Sequence, residues 1–420
     1  MARTETRPGT TAGQARVLHA TRPRGAWTAW LAQPAVRAPL GVFVLTRLLF
    51  LLLTYFGVIL YSARFQSPHP SLLHQLLPAW NRWDTAWYID IARRGYAWTV
   101  PGAQTSPTAF FPLYPLLIRL GTTLTHRSDL TVALAISNLA FLGALAYLWR
   151  LTSWELDGSL KPAGRAADRT ILYVATFPTA LFFFAGYTES LFLFLTVACF
   201  YHLRRQDWLL AGLFGALASA TRVSGVLLLL PFLYEYARSR NFSVRRLDVG
   251  ALGALLIPSG LLAFMVYLQR AVGDPLAFSH HQAGWQKIFT LRLWAGLLES
   301  LRQILAVQPA ASFFEAHNVL NLGLGGAFLV ATILVARRLP ASYTLYLAAF
   351  WLLTLSSPAM ADGYPVPLVS LSRYVLSLFP VFMAMGTLGA RREFHDAYLV
   401  LSVGLLALLT VQFLHGGWVV

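Results

Sequence analysis

From Pro39 to Tyr61 the chain runs through apolar and uncharged residues, interrupted by one charge, Arg47. At about 1.5 Å per residue, a helix of that length crosses a hydrocarbon core of about 30 Å. Comparable runs recur near 131–151, 170–186, 188–203, 249–270, 317–337, 341–357, 372–388 and 397–414. In lipid every backbone N–H and C=O must be paired within the segment or in a closed barrel, and runs this long pair as helices. Charged residues are 12% of the 420, against about 25% in an average soluble domain. The chain is therefore expected to be an all-α integral membrane protein, a polytopic helical bundle.

One stretch breaks the pattern. Residues 209–238, "LLAGLFGALASATRVSGVLLLLPFLYEYAR", are too many for one span and carry Arg222 at their middle. They read as two half-helices that dip in from one side and meet at Thr221–Ser224, a break that lipid tolerates only inside protein or around a wet cavity. The positive-inside rule tests this. With the six arginines before residue 39 inside, the basic loops 152–169 (Lys161, Arg165, Arg169), 204–208 (Arg204, Arg205), 238–248 (Arg238, Arg240, Arg245, Arg246), 337–340 (Arg337, Arg338) and 389–396 (Arg391, Arg392) all fall inside too. That parity holds only if 209–238 is a pair of half-helices. The expectation is about 11 membrane segments, with a cytoplasmic N-terminus in the plasma (cytoplasmic) membrane.

Residues 1–38 read as a disordered basic tail and 39–420 as one transmembrane domain, with outer loops at 62–130, 271–316 and 358–371. "FFPLYPLLIRL" and "LRLWAGLLESLRQIL" in the first two loops are too short or too charged to span and are expected at the interface. The net charge of +16 is spread between apolar runs and forms no continuous patch, so nucleic acid is excluded as a partner in favour of membrane lipids. Cys199 is the single cysteine and lies in an apolar run, which rules out an internal disulfide. Nucleotide-binding, zinc-protease and hydrolase fingerprints are missing.

Polar side chains with chemical potential are few. Asp84 sits in "WNRWDTAWYIDIARRGY" on the expected outer side, between Trp83 and Trp87, and on a helix it shares a face with Trp87 and Tyr88. A carboxylate among indoles at the membrane boundary suits a general base, and Trp and Tyr faces suit sugar rings. An interfacial aromatic belt with an incidental Asp is the plainer alternative. Asp90 is read as paired with Arg93 or Arg94. Glu189 lies inside an apolar run, where acids are costly and point to function; otherwise it caps the next helix. Arg222 needs a carboxylate such as Glu189 or a ligand phosphate. Arg373 and Tyr374, in "SLSRYVLSLFP", stand at the outer start of a span, where Arg373 suits a phosphate or merely anchors the interface. His280, Gln282 and Trp285 in "GDPLAFSHHQAGWQKIF" suit hydrogen bonds to sugar or phosphate better than zinc, because no third ligand follows at metal spacing. The sequence requires no cofactor, and a divalent cation near Asp84 and a phosphate stays open.

Taken in order, "WNRWDTAWYIDIARRGY", "AFFPLYPLLIRL", "FPTALFFFAGYTESLFLFL", "GLFGALASATRVSGVLLLLPFLYEY", "GDPLAFSHHQAGW" and "SRYVLSLFP" resemble the PIG-V family over roughly residues 40–390. The short loops and the arginine-rich composition point to a bacterial member. The resemblance implies a GT-C-type membrane glycosyltransferase. It would transfer a sugar, mannose by family, from a polyprenyl-phosphate donor to a glycan, glycolipid or protein acceptor on the outer face. Asp84 takes the family's position for the base, and "YTES" and "ATRVSG" bring Glu189 and Arg222 into the site. Direct displacement with inversion follows, with Arg222 or Arg373 on the phosphate. The competing expectation is a secondary transporter or flippase for lipid-linked sugars, which also uses broken helices but places its polar groups at the midplane of paired halves.

Overall fold

The computed structural model describes residues 33–61, 74–98, 105–156, 163–306 and 312–419. Every named element among them is helical, and the one extended pairing is an isolated antiparallel bridge between Lys287 and Ala359. In chain order the main helices are α1 Pro34–Leu60, α2 Asp84–Arg94, α3 Leu113–Thr125, α4 Asp129–Leu156, α5 Ala163–Thr176, α6 Glu189–Arg204 and α7 Trp208–Ser219. They continue with α8 Leu229–Ser239, α9 Leu252–Val272, α10 Ala295–Ala306, α11 Phe313–Ala336, α12 Ala341–Leu355, α13 Phe379–Leu388 and α14 Arg392–Leu414.

Among the described residues, five helical stretches are long and apolar enough to cross a membrane: Pro34–Leu60, Asp129–Leu156, Val249–Val272, Phe313–Ala336 and Arg392–Leu414. The chain is a multi-pass membrane protein. A sixth crossing is possible in length and composition if Leu371–Ser377 and Phe379–Leu388 count as one span, although they meet at an 80° bend. Shorter apolar helices, α7 and α12, pack among these long ones. Pro380 lies at the second position of α13 and the bend falls just before it, since the residues ahead of a proline are pushed out of the helical region.

Two further boundaries differ from expectation. The expected tail 1–38 ends early, because Pro34 at the first helical turn starts α1; residues 1–32 lie outside the described ones. The run 170–186 is not one helix. Helix α5 stops at Thr176, two residues before Pro178, and the chain continues through a 3₁₀ turn at Ala180–Phe183.

The broken segment is present. Helix α7 ends at Ser219, Arg222 is fully extended (φ −155°, ψ 148°), and a 3₁₀ turn at Val223–Leu228 leads into α8. Its freed backbone is satisfied by protein: the Leu113 N–H donates to the Ala220 carbonyl at 3.0 Å. Gly225 makes the turn possible, because a Cβ there would lie 2.3 Å from the Ala218 carbonyl carbon. Small residues also bring α7 against α9. A Cβ on Gly212 would meet the Gly253 carbonyl oxygen at 2.5 Å, and one on Gly260 would meet that of Ala216 at 2.1 Å. Close small-residue contact of this kind holds helices together where lipid gives no hydrophobic drive.

Arg204 at the end of α6 donates to Glu155 on α4 (2.6 Å) and to Glu235 on α8 (2.7 Å). Tyr343 and Ser342 of α12 donate to the same two carboxylates, at 2.9 Å and 2.6 Å. Four helices are tied at one end of the bundle, and these are helix ends that the charge rule placed on one side.

Candidate active site

A second charge cluster gathers from distant segments. Asp84 opens α2 after a strained residue: Trp83 has φ 51° and ψ −120°, a region that non-glycine residues rarely occupy. The turn is held from outside α2. The Arg82 guanidinium donates to the Leu414 carbonyl (3.2 Å) and the Trp83 indole N–H to the Gly417 carbonyl (3.4 Å). Gly186 lets the turn before α6 approach, since a Cβ there would lie 2.7 Å from the Thr85 methyl. The Asp84 N–H then donates to the Tyr187 hydroxyl at 3.2 Å.

Arg373 is fixed by its neighbour. The Ser372 N–H and hydroxyl both donate to Asn321 Oδ1, at 3.0 Å and 2.8 Å, and the Ser372 carbonyl accepts from Thr179 at 2.8 Å. So held, Arg373 Nη1 donates to Asp84 Oδ2 at 2.7 Å. Its Nε lies 3.3 Å from Glu189 Oε1, within ion-pair reach but not aligned as a hydrogen bond. Glu189 Oε1 also accepts from Arg222 Nη2 at 2.9 Å. The order is Asp84–Arg373–Glu189–Arg222, two carboxylates alternating with two guanidiniums. Glu189 is 2% exposed and its Oε2 is buried without a donor among the described residues, while Arg222 at the far end keeps 19% of its side chain open.

Lys287 completes the cluster. Its Nζ donates to the Tyr374 hydroxyl at 2.9 Å. The Tyr374 ring is faced by Lys287 Nζ at 5.0 Å and by the guanidinium carbons of Arg222 and Arg373, each at 5.5 Å. Three cations surround one phenol and face two carboxylates, which leaves one positive charge in excess. The partly open Arg222 and the loop-borne Lys287 are where that excess can meet an anion.

The structure brings together Asp84, Glu189, Arg222, Arg373 and Tyr374. Tyr88 lies against the cluster, its hydroxyl 3.3 Å from that of Thr188. Burial, with the charge of Asp84 adding to it, pushes the Tyr88 hydroxyl well above the ordinary tyrosine range, so it stays a neutral hydrogen-bonding group. The other candidates are placed differently. Trp87 stacks with Trp98 and with Phe110, each at 5.5 Å, and has Trp285 edge-on at 6.0 Å, so it sits in an aromatic cluster of its own. Trp83 reaches toward the Gly417 carbonyl and is half exposed. His280 pairs with Asp274 (2.7 Å) and holds that carboxyl below the usual range. Gln282 donates to the Phe278 carbonyl at 3.4 Å. Arg93 bonds Asp129 at 2.6 Å, not Asp90. Sequence reasoning missed Lys287 and Tyr187. The signal for Lys287 was its rarity: it is one of two lysines in the chain.

Residues 42–247 match the family described as mannosyltransferase (PIG-V). Among curated proteins, the chain is 30% identical over 232 residues to GPI alpha-1,6-mannosyltransferase 2 of Cricetulus griseus, covering 51% of this chain and 44% of that one. It is 25% identical over 263 residues to GPI mannosyltransferase 2 of Yarrowia lipolytica, covering 57% of this chain and 70% of that one. The match thus spans less than half the length of the mammalian relative. Among solved structures, ArnT from Cupriavidus metallidurans bound to undecaprenyl phosphate aligns with a TM-score of 0.46 and 12% identity, over 89% of this chain and 76% of that one. A likeness at that level bears on neither site nor ligand.

Proposed function

We propose, for a chain whose residues 42–247 match the family described as mannosyltransferase (PIG-V), that it transfers a sugar, mannose by family, from a polyprenyl-phosphate donor to an acceptor hydroxyl. The observation that carries this reading is the alternating cluster Asp84–Arg373–Glu189–Arg222 with Lys287 beside it. It supplies a base, a pair of cations for a leaving phosphate, and a buried carboxylate that spaces them.

In this reading Asp84 keeps Oδ2 on Arg373 and takes the acceptor proton on Oδ1. The acceptor oxygen bonds to the anomeric carbon as the bond to the phosphate oxygen breaks, with inversion. The electron pair leaves on the phosphate, whose growing charge Arg222 and Lys287 stabilise. Glu189 and Arg373 position Asp84 and Arg222 and do not touch the reacting atoms. No step in this reading is routed through a cofactor; a divalent cation, if bound near Asp84, would share the phosphate charge with Arg222 and Lys287. The acceptor is a glycan, glycolipid or protein. The site lies on the outer face of the plasma membrane, with the N-terminus cytoplasmic, as the distribution of arginines argues. A flippase for lipid-linked sugars also fits the broken helix at Arg222, but would place its polar groups at the midplane of paired halves.

The test is sugar transfer from radiolabelled polyprenyl-phosphate-mannose in membranes carrying wild type, Asp84→Asn or Asp84→Ala at equal abundance. Loss of a general base costs roughly 10²- to 10⁴-fold. Normal transfer by Asp84→Asn refutes the base. Absence of transfer by wild type, with movement of the labelled lipid between leaflets, would favour the flippase.

A further inference from the structure

Helix α10 carries two opposed faces. At about 100° per residue, Gly296, Ser300 and Gln303 share one side. That side is packed: a Cβ on Gly296 would lie 2.9 Å from Pro358, and Ser300 and Gln303 both bond Asn318 of α11, at 3.3 Å and 3.1 Å. Trp294, just before the helix, and Leu298, Leu301 and Leu305 fall on the opposite side. They are 63%, 42%, 43% and 61% exposed. Phe289 and Leu291 on the approach to the helix are exposed as well.

We propose that this outward stripe is a lipid-docking surface, seated in the headgroup boundary of the bilayer that the chain spans. A helix of 12 residues rises about 18 Å and cannot cross. The stripe ends in a tryptophan and is flanked by Arg292 and by Arg302, which lies 3.8 Å from Glu299, so Trp294 and Arg292 are the groups that favour the headgroup boundary over either water or the acyl core. A second copy is a poor occupant: the stripe offers on the order of 400 Å², about half of what one partner buries in a standard interface.

The docked helix is joined to the cluster by backbone. The Ile288 and Thr290 N–H groups donate to the carbonyls of Pro358 (3.0 Å) and Ser356 (2.9 Å), and the Ala361 N–H donates to Gln286 (3.1 Å). Lys287 sits in the middle of this ribbon, bridged to Ala359. The same Pro358 packs on Gly296. Lipid seating of α10 therefore sets where Lys287 stands over Tyr374. The lipid contact stands apart from the reaction proposed above, whereas the coupling to Lys287 rests on it.

The experiment uses the full chain with Cys199→Ala and one new cysteine, Leu301→Cys or Leu305→Cys, each with Arg302→Cys as flank control. Each protein is labelled with an environment-sensitive fluorophore in nanodiscs of phosphatidylglycerol and phosphatidylethanolamine. The expected result at 301 and 305 is loss of emission with doxyl-labelled lipid and protection from iodide, with the reverse balance at 302. Iodide quenching without doxyl quenching at both stripe positions overturns the proposal, and so does concentration-dependent protection from both quenchers, which would mean a second copy. For the coupling, Leu298→Asp with Leu301→Asp is expected to raise KM for the donor as Lys287→Met does. An unchanged KM with lipid quenching lost at 305 overturns the coupling and leaves the proposed reaction standing.

Discussion

Removing the charge of Glu189 tests the cluster most directly. Glu189→Gln keeps the shape but leaves Arg222 without the carboxylate it bonds at 2.9 Å, while Arg373 retains Asp84 at 2.7 Å. Breaking a fully buried pair costs about 3–5 kcal/mol. Arg222 is one-fifth exposed and can draw water, and Arg373 keeps a partner, so the cost here falls toward about 2–3 kcal/mol. Arg222→Met should cost a similar amount, because Glu189 then stays buried with a single unaligned cation near it. The double variant restores one carboxylate to one guanidinium, so its loss should be smaller than the two single losses added. A coupling of about 1–3 kcal/mol is expected for side chains in contact. The assay is reversible denaturant unfolding of all four proteins in the same membrane mimetic. Additivity within about 0.5 kcal/mol would show that the two residues act independently and refute the cluster as a unit.

Three other outcomes follow from the same geometry. Lys287→Met should raise KM for a polyprenyl-phosphate donor by roughly 10- to 100-fold, the worth of one hydrogen bond between charged groups, with a smaller change in kcat; an unchanged KM removes Lys287 from the phosphate site. Gly225→Ala drives a Cβ into the Ala218 backbone at 2.3 Å and should destabilise the protein by about 1–3 kcal/mol while displacing Arg222; unfolding at the wild-type denaturant midpoint would contradict the close packing at the break. Trp418→Ala removes a ring that stacks on His317 at 5.0 Å, next to the Gly417 carbonyl that holds Trp83. A loss of about 0.5–1.5 kcal/mol is expected from the stack, with reduced transfer as the strained turn before Asp84 loosens; full activity would show that the turn holds itself.

The sequence by itself determined what is local. Apolar run length against bilayer thickness made the chain a helical membrane protein. Arginine placement gave the grouping of helix ends that Glu155, Arg204, Glu235 and Tyr343 display. The length of residues 209–238 and the charge at their middle located the break at Arg222, because each run and each loop carries its own signal. Asp84, Glu189, Arg222 and Arg373 could be singled out one at a time, since a charge beside an apolar run is conspicuous wherever it lies.

Only the tertiary structure decided how they pair. Asp84 meets Arg373 across 289 residues, and no periodicity in the sequence encodes a contact of that separation. The same holds for Lys287, brought to Tyr374 by a ribbon between two loops, and for Trp87, which stacks with Trp98 and Phe110. Pro178 and the bend before Pro380 show the opposite limit: the prolines were visible, but whether each ends a span or bends it depends on what packs against the freed backbone. Lipid fixes the length of a membrane helix, and packing among helices fixes which polar group each buried charge finds.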